Sequence, residues 1–190
     1  MFQGADTDAI SAILGCMPLQ YLRPPDIYIG DDIVRYALGV RGRRMLVVFG
    51  VNPSTASEEA PDQTINRVES FTSRLGYNGW LMLNLYPQRA TIPGDLHLAC
   101  DDALHHQNLA VIGELLEAAP GVTLCAAWGG AITTRHYLRT CLRDIDAQCR
   151  ALRGPWMMLG QATQDGHPRH PSRLPLDRTL LRFDVAAYLG

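Results

Sequence analysis

Apolar residues come in short unbroken runs separated by amphipathic stretches, a rhythm that predicts alternating strands and helices. Met45 to Phe49 reads MLVVF, a continuous valine-rich run like that of a strand covered on both faces, and it leads into Gly50. Asp62 to Leu75 has helical spacing, with Asp62 as a candidate N-cap and Gly76 as the stop. Trp80 to Leu85 predicts a second strand. His105 to Ala118 predicts a helix with Ile112, Leu115 and Leu116 on its apolar face. Val122 to Trp128 predicts a third strand, Ala131 to Cys149 a third helix, and Trp156 to Leu159 a short fourth strand. Upstream, residues 27 to 39 alternate around Gly30-Asp31-Asp32, as a β-hairpin does. Residues 1 to 25 are a weakly patterned extension in which 7 to 16 could form a helix capped by Thr7 or Asp8.

Strand–helix alternation predicts an α/β fold: three layers, α/β/α, around a central parallel four-stranded sheet, plus the N-terminal β-hairpin. Residues 1 to 190 are expected to form a single domain, without repeats or low-complexity segments. In such sheets ligands bind beyond the carboxyl ends of the strands. That directs attention to Gly50 to Ala56, Asn84 to Thr91, Trp128 to Gly130 and Asp165 to Leu174, where the unusual polar residues lie.

Composition narrows the picture. A chain of 190 residues, 47% hydrophobic, suits one sizeable core. No stretch is apolar enough to cross a bilayer, and the first residues lack the charge and apolar run of a secretory signal. A cytoplasmic protein without a membrane partner is expected. The five cysteines (Cys16, Cys100, Cys125, Cys141, Cys149) have no metal or cluster spacing and read as reduced thiols. The net charge of −2 does not advertise nucleic acid. Local clusters say more: Arg41, Arg43 and Arg44 sit together, and Arg169, Arg173, Arg178 and Arg182 stand against Asp177 alone. Such segments could hold a phosphate backbone, although ordinary solvated arginines fit equally. All 17 basic side chains are arginine, so lysine Schiff-base chemistry is ruled out for this chain.

Four motifs carry candidate chemistry. In Gly50-Val51-Asn52-Pro53-Ser54-Thr55, glycine permits a sharp turn and proline stiffens the loop beyond it. Asn52 is either part of a plain Asn-Pro turn or a crevice residue able to hold a water. In Leu81 to Pro87, Asn84 ends an apolar strand, where an amide is costly to bury unless paired. Its carboxamide is either satisfied by neighbouring backbone or free to read the edge of a base. Ala127-Trp128-Gly129-Gly130 is mainly architectural. Asp165 to Leu174 places two imidazoles, a hydroxyl and two guanidiniums on a proline-stiffened loop. A metal site of Asp165, His167 and His170 lacks a second ligand cluster, and no metal or other cofactor is expected.

In order and position these motifs resemble the uracil-DNA glycosylase superfamily, over roughly residues 45 to 175. GVNPS resembles the G-I-N-P-G motif of the mismatch-specific, thymine-DNA glycosylase branch. LMLNLYPQRAT is similar to that branch's second motif strand and to the L-L-L-N strand of the uracil-specific enzymes. AAWGGA resembles L-W-G-x-x-A, and HPSRL resembles the closing H-P-S-P-L. The whole chain also looks like a bacterial and phage family catalogued only as a domain of unknown function.

The resemblance implies a lysine-independent hydrolase, a monofunctional DNA glycosylase that leaves an abasic site, acting as a monomer on DNA. Asn52 would position the attacking water where uracil-specific members carry an aspartate, so the reaction should lean on leaving-group departure. His170 would donate to the base O2 as charge develops there. Asn84 would read the flipped base, with Gly50 beside it and Tyr86 stacked on it or packed in the core. Ser172 would grip phosphate, Leu174 with Arg173 would fill the vacated stack, and Arg169, Arg89 and Thr91 would contact the backbone. Uracil-specific members carry a tyrosine where this chain has Ser54, so the wall against C5 substituents is missing. A C5-modified pyrimidine is the expected base, in repair or in defence against phage with modified DNA. Asp62, Thr64 and Arg67 could cap a helix or line the pocket mouth. A nucleoside or nucleotide N-glycosidase and a catalytically inactive module that binds modified bases in DNA are the alternatives.

Overall fold

A computed structural model describes residues 19–119, 121–152 and 156–190. The expected helix at 7 to 16, most of the N-terminal extension and Cys16 lie outside the described residues. Strands β1 (Ile27–Gly30) and β2 (Arg35–Val40) form the expected hairpin. Its turn is held by the Asp31 carboxylate, which accepts from the Ile33 and Val34 amides at 2.7 and 2.8 Å. Next along the chain come β3 (Met45–Gly50), α1 (Gln63–Arg74), β4 (Gly79–Asn84), α2 (Asp102–Glu117) and β5 (Val122–Ala126). Helix α3 (Tyr137–Leu152), β6 (Met157–Leu159), β7 (Leu180–Arg182) and the short α4 (Val185–Leu189) complete the described chain.

The sheet corrects the sequence expectation. It is a seven-stranded mixed sheet in the order β1-β2-β4-β3-β5-β6-β7, not a central parallel four-stranded one. The hairpin is no appendage, because β2 pairs antiparallel with β4 through Leu38, Gly39 and Val40. At the other edge β7 pairs antiparallel with β6. An exposed strand edge leaves backbone donors and acceptors unpaired, and these additions cover both edges of the parallel pairs. Strand β7 has only three residues, too few for a periodicity to declare it.

Side-chain parity divides the core between the two faces. Leu46, Val48, Met82 and Cys125 pack with Ile65, Val68 and Phe71 of α1. Val47, Phe49, Leu83, Leu124 and Ala126 pack on the other face with α2 and α3, through Ile112, Leu116, Leu138 and Leu142. Helix α1 starts where its capping signal stands: the Asp62 carboxylate accepts from the Ile65 amide at 2.9 Å, and Gly76 comes after its end with φ +74°. Helix α3 starts later than its apolar spacing suggests. Gly129–Thr134 is a tighter 3-10 segment that ends at extended Arg135, whose guanidinium donates to the Leu96 and His97 carbonyls.

The face covered by α1 runs out at Gly50 and Asn84, which pair across β3 and β4. A Cβ on Gly50 would stand 2.7 Å from Met82 Cε and 3.0 Å from Asn84 Oδ1, so only glycine leaves this corner open. No helix among the described residues is long and apolar enough to cross a membrane.

Candidate active site

A cleft of about 630 Å³ opens beyond the carboxyl ends of β3 to β6. It draws lining residues from each of the segments downstream of those strands: Asn52 and Ser54, Ala90 and Thr91, Trp128 to Ala131, and Arg169 to Leu174. Asp62 and Thr64, at the start of α1, also line it, so Asp62 both caps the helix and faces the cleft.

Asn52 is oriented by its neighbours. Its amide nitrogen donates to the Ala90 carbonyl at 2.6 Å and to the Pro53 carbonyl at 2.9 Å. With both N–H groups turned to backbone, Oδ1 is the group Asn52 can offer the cleft, an acceptor suited to the hydrogens of a water. The closing loop is tied down at Gly129, which adopts φ +59° and donates its N–H to the Pro168 carbonyl at 2.9 Å. Two residues further on, His170 lines the cleft, with Nδ1 2.8 Å from Ser172 Oγ.

Burial lowers the His170 pKa from its ordinary 6.5, the Asp62 charge opposes that shift, and Arg173 reinforces it. The ring is therefore neutral at neutral pH. The unfolded chain takes up this proton more readily than the folded one, so His170 costs nothing above pH 6.5 and destabilises as pH falls below it. In His170→Gln, the loss of urea resistance between about pH 7 and pH 5 should be shallower than in the wild type. An identical pH slope in both proteins would contradict the buried neutral ring.

Asn84 is fully buried at the end of β4, and neither its Oδ1 nor its Nδ2 has a partner among the described residues. Asn84 does not itself line the cleft; its Oδ1 lies close to Gly50, as does the Met82 side chain, which does line it. Its backbone carbonyl is fixed from α2 by Asn108 Nδ2 at 3.0 Å.

Other expected site residues are placed differently. Tyr86 is fully buried on the opposite face, its hydroxyl 2.9 Å from His97 Nδ1 and its ring against Tyr137. The strand ends at Asn84 and the chain then turns, so Tyr86 leaves the face on which Asn84 lies. Arg89 does not line the cleft. Its three guanidinium nitrogens donate to the Asp31, Ser54 and Ala56 carbonyls and to the Tyr28 hydroxyl, stitching the hairpin turn to the loop after β3. Leu174 touches the cleft but is 6% exposed and packs in the α1 core, where its carbonyl accepts from Arg67. Arg169 and Arg173 are exposed at the cleft. Among the described residues no group of three or more His, Cys, Asp or Glu side chains could hold a metal ion, and His167 Nδ1 lies 2.7 Å from the Tyr188 hydroxyl.

Arg35 was missed by sequence reasoning. It opens β2, is 2% exposed, and lines the cleft. The one signal is a lone charge at the head of an otherwise apolar run, RYALGV.

The family described as protein of unknown function (DUF1643) matches residues 35–172, well over half of the chain. The chain belongs to the DUF1643 family. The matched span holds every residue lining the cleft except Arg173 and Leu174. The DUF1643 description carries no activity, and nothing in the match ties the family to the uracil-DNA glycosylases. No curated protein and no solved structure matches the chain. The DUF1643 cleft carries Arg35, Arg169 and Arg173 against Asp62, a local positive balance on a chain whose net charge is −2.

Proposed function

We propose that this DUF1643 protein is a monofunctional DNA glycosylase that hydrolyses the N-glycosidic bond of an extruded pyrimidine, with a C5-substituted pyrimidine as its favoured base. The observation that carries the reading is the unpartnered buried amide of Asn84, next to a cleft that Asn52 and His170 line together. A buried carboxamide without protein partners is suited to meet donors and acceptors on a base edge. The base reaches it once the flexible Met82 side chain turns aside.

In this scheme Asn52 Oδ1 holds a water over the sugar. The water oxygen bonds to C1′ as the C1′–N bond breaks, and that bond's electron pair leaves with the base. Charge collects on the base O2, where neutral His170 donates from Nε2 while Nδ1 accepts from the Ser172 hydroxyl. The water's surplus proton passes to solvent and the departing base is reprotonated, which leaves an abasic sugar. Asn52 cannot take the proton, so the rate depends on stabilising the leaving group. The exposed Arg169 and Arg173 suit the phosphates beside the extruded nucleotide.

The test uses duplexes containing uracil, mismatched thymine or a C5-modified cytosine, then alkali treatment and a denaturing gel. The full-length protein should yield alkali-labile sites but no strand break without alkali, because the chain contains no lysine. Asn52→Ala should slow the reaction at least about tenfold through loss of water positioning. Tight binding of modified duplex without cleavage would identify an inactive base-binding module. Hydrolysis of free nucleosides in place of duplex would identify a nucleoside N-glycosidase.

A further inference from the structure

The cleft lining includes a buried cation. The Arg35 side chain is almost completely buried, yet no carboxylate forms an ion pair with it among the described residues. Its Nη1 donates to the Ala56 carbonyl at 2.8 Å, and its Nε has no partner among the described residues. A second guanidinium crowds the same place, since Arg89 Nη1 donates to that Ala56 carbonyl at 3.1 Å and to the Ser54 carbonyl at 2.8 Å. Asp62, the acid that also lines the cleft, forms no ion pair with Arg35, and its Oδ1 accepts from the Ile65 amide at the start of α1.

Burial, reinforced by the Arg89 charge, pulls the Arg35 pKa down to about 10, which still leaves the guanidinium charged at neutral pH. A buried charge is ordinarily paired, or it carries a large desolvation penalty. Arginine's planar fork matches the oxygens of carboxylate and phosphate. Here the fork lies at the Ala56 carbonyl, in a cleft that Ser54 also lines.

We propose that Arg35 is a ligand-binding residue that receives an anionic oxygen group, carboxylate or phosphate, of the molecule that occupies this cleft. The group comes either from a substituent on the base or from the phosphate of the same nucleotide. This assignment concerns recognition and does not depend on bond cleavage, so the protein could fail as a glycosylase and still hold the anion.

Calorimetric titration of the full chain tests it, with four probes: inorganic phosphate, an unmodified pyrimidine nucleoside, its 5′-monophosphate, and a pyrimidine nucleoside carrying a carboxylate at C5. The wild type should bind at least one of the two anionic nucleoside probes about tenfold or more tightly than the neutral nucleoside. Inorganic phosphate should compete with that probe. Preference for the monophosphate assigns the site to the nucleotide's phosphate; preference for the carboxylated nucleoside assigns it to the base. Arg35→Gln should lose the preference, and Arg35→Lys should keep part of it. The comparison of probes on the wild type stands even if Arg35→Gln folds poorly. Equal affinity for charged and neutral probes, no binding of any probe, or an undiminished preference in a folded Arg35→Gln would overturn the assignment.

Discussion

Replacing His170 with alanine is expected to slow base excision by about two to three orders of magnitude, the usual consequence of deleting one preorganised donor to a developing oxyanion. The effect should be large because the ring is fixed before substrate arrives. Gly129 binds the loop through Pro168, and Ser172 sets the ring through Nδ1. Burial keeps the imidazole neutral, so Nε2 can remain a donor while Nδ1 accepts. The change also removes the ring's hydrogen bond to Ser172, so some stability should go with it. Single-turnover rates on a uracil or C5-modified duplex are the measure, with thermal melting as the check on folding. His170→Gln retains an N–H donor and should recover part of the rate. An alanine variant that is folded and as fast as the wild type would remove His170 from the chemistry.

Introducing a tyrosine at Ser54 should remove about a hundredfold or more of the activity on C5-substituted pyrimidines while changing the uracil rate only slightly. Ser54 lines the cleft and its backbone is anchored by the Arg89 guanidinium, so a large ring there would be held in place rather than swing away with the loop. The ring would fill the space that a C5 substituent needs, and uracil has no such substituent. Comparing rates on two duplexes that differ only at C5 isolates the steric contribution from any general damage. An equal loss on both substrates would show that Ser54 does not set this wall.

What the sequence disclosed was local. The valine-rich run of β3, the Asp62 cap and Gly76 stop of α1, and the four strand-end segments that meet around the cleft could all be read from spacing and residue type. What stayed hidden depends on the backbone and on distance. Which strands cover the edges of β4 and β6 is decided by unpaired main-chain groups, so a sheet of four was expected where seven strands pair. Motif order could not show that the chain turns after Asn84 and carries Tyr86 to the other face, or that Leu174 packs inward against α1. Arg89 offers its charge to backbone carbonyls, a use no residue count can distinguish from phosphate binding. Arg35 was obscured by the apolar company it keeps in RYALGV.

The Asn84 carboxamide has a consequence for how the resting molecule behaves. A leucine of similar size would suit this apolar interior better, because a buried polar atom without a partner, as Asn84 Oδ1 and Nδ2 are among the described residues, costs about 1–3 kcal/mol. A base that hydrogen-bonds to the Asn84 carboxamide, as proposed, would offset that cost. On the proposed reading, part of the affinity for the base would come from satisfying this buried amide.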